Sequence, residues 1–382
     1  MHVTHVVAHP PFREGTGTVC YYNARALRDL GCEVIVYAPR WRLHGEEGQF
    51  EFYRFMPCWL AVGNAYLTPH LLALGPTDLV HLHYPFILGS ELVLLRVLMT
   101  GVPFVLTYHN DLIAGGVRRP IFFIYNRLLA PLIIAHAQKI VVTSLDYADS
   151  SIYGASIFKT RQADLVEVAN GVETDVFKPD VDGNRVRIRH DIQPGEVVLL
   201  FVSSLDRSHA RKGLSLMLHA LTQLSDKPYK LLVVGGGDMR YTYEQQAHVL
   251  GLETRVIFAG RVPQADLPSY YAACDMVTIP SRPPEAFGVA LAQGMATGRP
   301  VIGSNIPGVR TLIKDGETGL LIPPEDSTAL ATCIDQLGRA PELRQELGKR
   351  GRQRIVEHYT WRRSGERLLG LYQSILHQIA GD

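Results

Sequence analysis

The chain has 382 residues, 47% of them hydrophobic and 20% charged, with a formal charge of +1. That length exceeds what one hydrophobic core usually serves, so two domains of similar size are expected. A near-zero charge, balanced in both halves, excludes a field that recruits nucleic acid, and five scattered cysteines (Cys20, Cys32, Cys58, Cys274, Cys333) without a C-x-x-C point to a reducing compartment and away from a metal cage.

The opening "MHVTHVVAHPPFREG" has His and Pro where a signal peptide needs an unbroken apolar run, and no segment reaches 18 clean apolar residues. A cytoplasmic chain is the expectation. Within that opening "HVTHVVA" is predicted as a strand, and "VCYYNARALRDLG" as a helix stopped by Gly31. Gly15, Thr16 and Gly17 precede the helix, where free N–H groups either cradle a phosphate or simply turn the chain. A dinucleotide fingerprint would need glycine at position 20, which is Cys20, and an acid where Pro39 and Arg40 stand. A nicotinamide cofactor is therefore not expected.

"EVIVYA", "LVHLHY", "PFVLTYH" and "KIVVTS" continue the strands. His81 and His83 share a strand face but have no third ligand at plausible spacing, so a metal is not expected there. His109 ends its strand with Asn110 and Asp111 beside it, a ring and a carboxylate at the edge where such sheets bind ligands. Residues 118–135, "RRPIFFIYNRLLAPLIIA", are apolar with Arg118, Arg119 and Arg127 interleaved. They read as a core helix, with a bilayer or lipid-linked acceptor as the alternative.

"FKPDVDGNRVRIRHDIQPGE" has the Pro, Gly and charge content of a loosely packed linker. Its D-x-D, Asp180 and Asp182, lies away from any strand end and reads as chance. A second series follows: strand "VVLLFVSS", helix "GLSLMLHALTQL", and strands "KLLVVGG", "RVIFAG", "MVTIP" and "PVIGS". Arg211 and Lys212 precede a helix beside Gly213, either an anion site or a solvated basic turn. In "PSRPPEAFGVALAQGMATGRPVIGS" the prolines bar helix before Glu285, and a helix is expected to aim the N–H groups of residues 286–289 at an anion, with Gln293 further along. An acid for sugar hydroxyls, bare amides for a diphosphate and an amide side chain for a ribose would suit a sugar nucleotide.

The ordered set "ANGVETDVF", "RKG", "VIFAGRVPQADLPSYYAACDMVTIPS", "EAFG", "GMATGRPVIGSNIPGV" and "DGETGLLIPPED" resembles glycosyltransferase family 4 over nearly the whole chain. The resemblance implies an α/β GT-B fold: two facing Rossmann-like doubly wound domains with an interdomain cleft. It implies an N-terminal acceptor-side domain over 1–178, a nucleotide-sugar domain over 179–360, and a helix at about 361–382 packing back onto the first. The implied activity is metal-independent, retaining transfer of a hexosyl unit to a hydroxyl acceptor, with a UDP-sugar favoured as donor and a GDP-sugar the alternative. No cofactor is implied beyond this substrate. Rival readings are an epimerase or phosphorylase of the same architecture, or a non-catalytic nucleotide-binding subunit.

By the same resemblance, Gly15, Thr16 and Gly17 contact the donor phosphate and His109 the transferred sugar, with Asn110 and Asp111 as acceptor-side candidates. Lys212, with Arg211, binds the diphosphate, and the backbone at Arg261 and Val262 meets the base. Glu285 holds sugar hydroxyls, while Ala286, Phe287, Gly288 and Val289 offer amides. The chain departs from the family at Gln293, where a second Glu for the ribose is usual, and at Ser203 and Ser204, where Gly-Arg is usual. Ala286 for Gly and Glu173 for Asp are milder changes.

Overall fold

Alternating apolar strands and amphipathic helices build two parallel sheets in this protein, seen in a computed structural model that describes residues 1–11, 15–40, 50–113, 119–224 and 228–381. Contacts divide the chain into two units, Met1–Gly171 with Trp361–Asp382, and Val172–Thr360.

Among the described residues, the first unit contains β1 (His2–Val6), β2 (Glu33–Pro39), β3 (Tyr53–Met56), a hairpin of β4 (Leu60–Val62) and β5 (Ala65–Leu67), β6 (Leu79–Tyr84), β7 (Phe104–Tyr108), β8 (Lys139–Val142) and β9 (Leu165–Glu167). Seven of these form a parallel sheet in the order β3-β2-β1-β6-β7-β8-β9. Its helices are α1 (Gly15–Asp29), α2 (Ser90–Thr100), α3 (Arg119–Ala135), α4 (Leu145–Ser150), α5 (Ala155–Thr160) and the C-terminal helix (Trp361–Gly381). One face packs Val6, Leu82, Tyr84, Leu106 and Ile140 against Val93 and Ile133. The other packs Val3, Val7, Val34 and Val105 against Leu27 of α1 and Leu368, Leu371 and Tyr372 of the C-terminal helix. A parallel sheet covered on both faces is what the near-continuous apolar strands require.

The second unit holds β10 (Val197–Val202), β11 (Tyr229–Val234), β12 (Val256–Gly260), β13 (Met276–Ile279), β14 (Val301–Ser304) and β15 (Leu320–Ile322), parallel in the order β12-β11-β10-β13-β14-β15. With it go α6 (Asn184–Arg189), α7 (Leu214–Thr222), α8 (Arg240–Val249), α9 (Leu267–Ala273), α10 (Val289–Ala296), α11 (Val309–Leu312), α12 (Ser327–Arg339) and α13 (Pro341–His358). Val198, Leu199 and Leu200 of β10 have no exposure, nor do Met217, Leu218 and Leu221 of α7 or Leu291 and Met295 of α10.

Three expectations need correction. The change of unit falls at Gly171–Val172, not after Lys178: Val172 N–H donates to Tyr359 O at 2.8 Å, and buried Phe177 meets the Tyr271 ring edge-on at 5.5 Å. The supposed linker is structured. Its α6 is tied down by Arg187, which donates to Ala273 O at 2.9 Å and pairs with Asp275 at 3.0 Å, while Asp182 accepts from Asn184 N–H at 2.9 Å. Nor is α3 a core helix, because only Tyr125, Asn126, Ala130, Ile133 and Ile134 are buried. Ile121, Phe123, Ile124, Leu128, Leu129 and Leu132 are exposed, and Arg118 of that run lies outside the described residues, as does Asp382. The short strands β3, β9 and β15 carried no pattern long enough to read.

The C-terminal helix packs on α1 at very close range: Trp361 stacks on Tyr22 at 4.8 Å, and a Cβ at Gly365 would lie 2.7 Å from that of Ala26. Gly365→Val is expected to force the two helices apart and destabilise the first unit by about 1–3 kcal/mol. Thermal denaturation of the full chain measures it, and an unchanged melting point would refute the close packing.

Candidate functional site

Ligands of open α/β sheets bind beyond the carboxyl ends of strands where the strand order reverses. In the second unit that reversal lies between β10 and β13. The loops after these two strands carry Lys212 and Glu285, and two glycines let them lock. Gly213 has φ +87° and a Cβ there would fall 2.1 Å from Pro280 O; Gly308 has φ +83° and a Cβ there would fall 2.2 Å from Glu285 O. No side chain fits either position.

Held this way, Lys212 Nζ donates to Glu285 Oε2 at 2.5 Å, and Ser281 Oγ donates to the same oxygen at 3.1 Å. Burial pushes the Glu285 carboxyl up, but Lys212, then Arg211 and Ser281, outweigh it and hold it below the ordinary range, so it is ionised. The structure thus joins two residues expected to act separately. Arg211 is spent on architecture: its Nε donates to Pro284 O at 3.0 Å and its Nη1 to Ser208 O at 2.9 Å.

The anion-facing amides are displaced from the expected run. α10 starts at Val289 after Gly288, whose φ is +84°, so the N–H groups lacking a helical acceptor are those of Gly288 to Leu291. Ala286 and Phe287 precede the helix, and the Phe287 ring is buried against Tyr359 at 5.6 Å. Gln293 is also buried, and its Oε1 accepts from Tyr271 OH at 2.9 Å. Tyr271, like Ser281 and Gly308, had no visible role in the sequence. The glycine turn after β11 packs on the β10 loop, where a Cβ at Gly235 would fall 1.8 Å from Ser203 O, and it lies beside the exposed Arg261. Val262 is half-buried, and Ser204 Oγ donates to Asp206 at 2.5 Å.

In the first unit the order reverses between β1 and β6. Gly15, Thr16 and Gly17 form the first turn of α1 itself. A Cβ at Gly17 would lie 2.2 Å from Pro10 O, so glycine lets the helix start press on the β1 loop, and Thr16 Oγ1 is buried without a partner among the described residues. Asp111 is corrected from acceptor-side candidate to strut. Buried, it accepts from Tyr108 OH (2.7 Å), Ser151 Oγ (2.6 Å), Ile152 N–H (2.9 Å) and Tyr153 N–H (3.2 Å), which leaves little capacity for a ligand. Asn110 is exposed, with Nδ2 donating to Asp111 O at 2.9 Å.

His109 is buried after β7, and its Nε2 lies 2.9 Å from His83 Nδ1. His83 Nε2 lies 3.0 Å from His5 Nδ1, and His5 Nε2 lies 3.3 Å from Tyr372 OH. Tyr372 OH also meets His81 Nδ1, and His81 Nε2 lies 2.6 Å from Thr107 Oγ1. Register made this chain: His5 pairs with His81 across β1 and β6, and His83 with Thr107 across β6 and β7. Thus the third imidazole that His81 and His83 lacked in sequence comes from β1, with ligand atoms of the three rings within 4.8 Å. Both nitrogens of His5, His81 and His83 are nevertheless committed to hydrogen bonds, and none of these bonds is to a carboxylate that would offset a cation's charge.

A family model described as Glycosyl transferases group 1 matches residues 184–354, and one described as Glycosyltransferase Family 4 matches residues 13–176. The chain is 30% identical to a GDP-mannose-dependent alpha-(1-6)-phosphatidylinositol monomannoside mannosyltransferase of Mycolicibacterium smegmatis over 57% of this chain and 58% of that one. It therefore spans little more than half of that relative. It is 30% identical to a D-inositol 3-phosphate glycosyltransferase of Acidothermus cellulolyticus over 79% of this chain and 68% of that one. The fold is shared with a sucrose-phosphate synthase of Thermosynechococcus elongatus, at a TM-score of 0.79 and 22% identity over 99% of both chains.

The buried imidazoles make the first unit acid-sensitive. Burial holds His5 at about 3 and His109 at about 4, against 6.5 for a free ring, and holds His81 and His83 well below it. Between these values the unfolded chain binds protons that the folded chain refuses, so the stability is complete above pH 6.5 and is lost as pH falls. The expected slope is about 1.4 kcal/mol per pH unit for each ring. Chemical denaturation at pH 7.5 and 5.5 measures it; a flat response would mean that the rings protonate freely in the folded protein.

Proposed function

We propose, on the premise that this chain belongs to glycosyltransferase family 4, that it moves a hexosyl unit from a nucleoside-diphosphate sugar to a hydroxyl acceptor with retained anomeric configuration. A UDP-sugar is the favoured donor and a GDP-sugar the alternative. The observation that carries the reading is the pairing of half-buried Lys212 with buried Glu285 at the strand-order reversal of the second unit. A carboxylate buried in this way is costly unless its partner's geometry or a ligand repays it.

In this reading the donor diphosphate takes over the Lys212 charge and the N–H groups at the start of α10, which releases Glu285 to accept hydrogen bonds from sugar hydroxyls. Being ionised, Glu285 has no proton to give, so it orients and the departing diphosphate takes the acceptor's proton. Charge that develops on that leaving group is met by Lys212 and bare amides rather than by a metal ion. Arg261 and Val262 border the base. Gln293 turns its amide N–H groups to a ribose hydroxyl, since Tyr271 uses its oxygen. In the first unit the α1 turn serves the phosphate, and His109 serves the transferred sugar.

A lipid-linked acceptor fits α3. No described helix is long and apolar enough to cross a membrane. Ile121, Ile124, Leu128 and Leu132 nevertheless recur three or four residues apart on its exposed side, with Arg119 and Arg127 exposed beside them. Such a helix lies in an interface and favours anionic lipid.

Three measurements test the reading. With labelled donors and a panel of hydroxyl acceptors, Lys212→Ala and Glu285→Ala are each expected to lower kcat/KM by about 10²–10³-fold, and Gln293→Ala by about fivefold. A thermal-shift series over UDP-, GDP- and ADP-sugars picks the donor; nucleotide binding without turnover of any donor would sink transfer. For the acceptor side, the chain is expected to co-sediment with anionic liposomes and to lose this on Ile121→Asp with Leu128→Asp. Equal recovery of both proteins in the supernatant would remove the lipid surface from the proposal.

A further inference from the structure

The six groups His109, His83, His5, Tyr372, His81 and Thr107 form one continuous hydrogen-bonded line across β7, β6, β1 and the C-terminal helix. His5, His81, His83 and Tyr372 have no exposure, and Thr107 has 3%. A neutral imidazole has one N–H and one bare nitrogen, and a hydroxyl has one hydrogen. Burial keeps all four rings neutral. The protons of such a line are therefore ordered: a reversal of direction within the run of rings leaves one contact with two protons or none, or puts a charge on a ring.

A reversal at Tyr372, with both rings donating to its oxygen, leaves its own buried hydrogen without an acceptor, so two directions remain, and they differ at the ends. If the line runs away from Thr107, its hydroxyl donates to His81 Nε2, His81 Nδ1–H to Tyr372 O, Tyr372 OH to His5 Nε2, His5 Nδ1–H to His83 Nε2, and His83 Nδ1–H to His109 Nε2. Every contact then has one proton, and the one hydrogen left over is the Nδ1–H of His109, the ring of the line that keeps the most exposure, 7%. If it runs the other way, Thr107 accepts from His81 and its own buried hydrogen has no acceptor, because this hydroxyl makes no other bond among the described residues. A buried unsatisfied donor costs more than the bond it would replace gains. The Cys20 thiol, 4.0 Å from His5 Nδ1, is too weak a partner to reverse the order.

We infer that this buried line fixes His109 as the neutral tautomer protonated on Nδ1, so that His109 acts on its ligand as a hydrogen-bond donor and not as a base, with Thr107, His81, Tyr372, His5 and His83 as its positioning residues. The inference rests on the proposed role of His109 at the transferred sugar, but the tautomer itself does not depend on that role. Nδ1 is the nitrogen outside the line, and it meets no group among the described residues. A neutral donor there suits a sugar hydroxyl oxygen, and it leaves the acceptor's proton to the departing diphosphate.

The test is ¹⁵N NMR of the full chain with labelled histidine at pH 7, the His109 signals being assigned with His109→Gln, together with donor kinetics. The expected spectrum shows His109 with Nδ1 protonated and Nε2 bare. Thr107→Val and Tyr372→Phe are expected to mix the tautomers and lower kcat about fivefold, the worth of one hydrogen bond, with the donor KM little changed. Thr107→Ser, which keeps the hydroxyl, is expected to restore both. An Nε2-protonated or charged His109, one equivalent of zinc retained by the purified protein, or variants that leave the tautomer unmoved would each overturn the inference. The assigned tautomer combined with full activity of His109→Gln would uphold the relay and refute the role of His109 at the sugar.

Discussion

A parallel strand covered on both faces has its backbone satisfied by its neighbours and no place for an unpaired charge on its side chains, and most of what distinguishes this protein follows from that constraint. Polar chemistry is pushed to the carboxyl ends of strands, and the widest openings are where strand order reverses, at β1/β6 and β10/β13. Gly15, Thr16 and Gly17 follow β1 at the first reversal, and Lys212 and Glu285 follow β10 and β13 at the second, while His109 follows the neighbouring β7 and Arg261 the edge strand β12. Ala286 and Phe287, expected at the head of a helix, instead form the loop that glycine at 308 allows to close beneath Glu285.

The two units meet the same constraint in different ways. The second sets half-buried Lys212 against buried Glu285 and keeps the carboxylate ionised against the pull of burial. The first buries imidazoles and avoids charge altogether, each ring bonded to the next directly or through Tyr372, from the Thr107 hydroxyl at one end to His109 at the other. It needs Tyr372, which lies 291 positions from His81 and reaches it only because the C-terminal helix packs on the sheet face that bears the histidines.

Strand and helix rhythm was legible because it is local: the period of apolar residues showed β1, β2, β6, β7 and β8, and β10 to β14. The short β9 and β15, and the α6 turn within an apparent linker, were not, because three to six residues fixed by tertiary contacts carry no period of their own. Polar composition likewise misrepresented residues 184–189, where an arginine that looks solvated is clamped on Asp275. The apolar run of α3 misled in the opposite sense: hydrophobic content does not tell whether a face is covered by protein.

By itself the sequence determined the fold class, the two-sheet plan, the family and the candidates His109, Lys212 and Glu285, all of which rest on residue types at short spacing. Tertiary structure alone decided what those residues touch: Lys212 joined to Glu285 across 73 positions, Gln293 held by Tyr271, Asp111 consumed as a strut, and His109 placed at the end of a histidine line. The physical reason is that strand register and strand order, which bring distant side chains within hydrogen-bonding distance, are set by the packing of whole sheets and leave no mark on neighbouring residues.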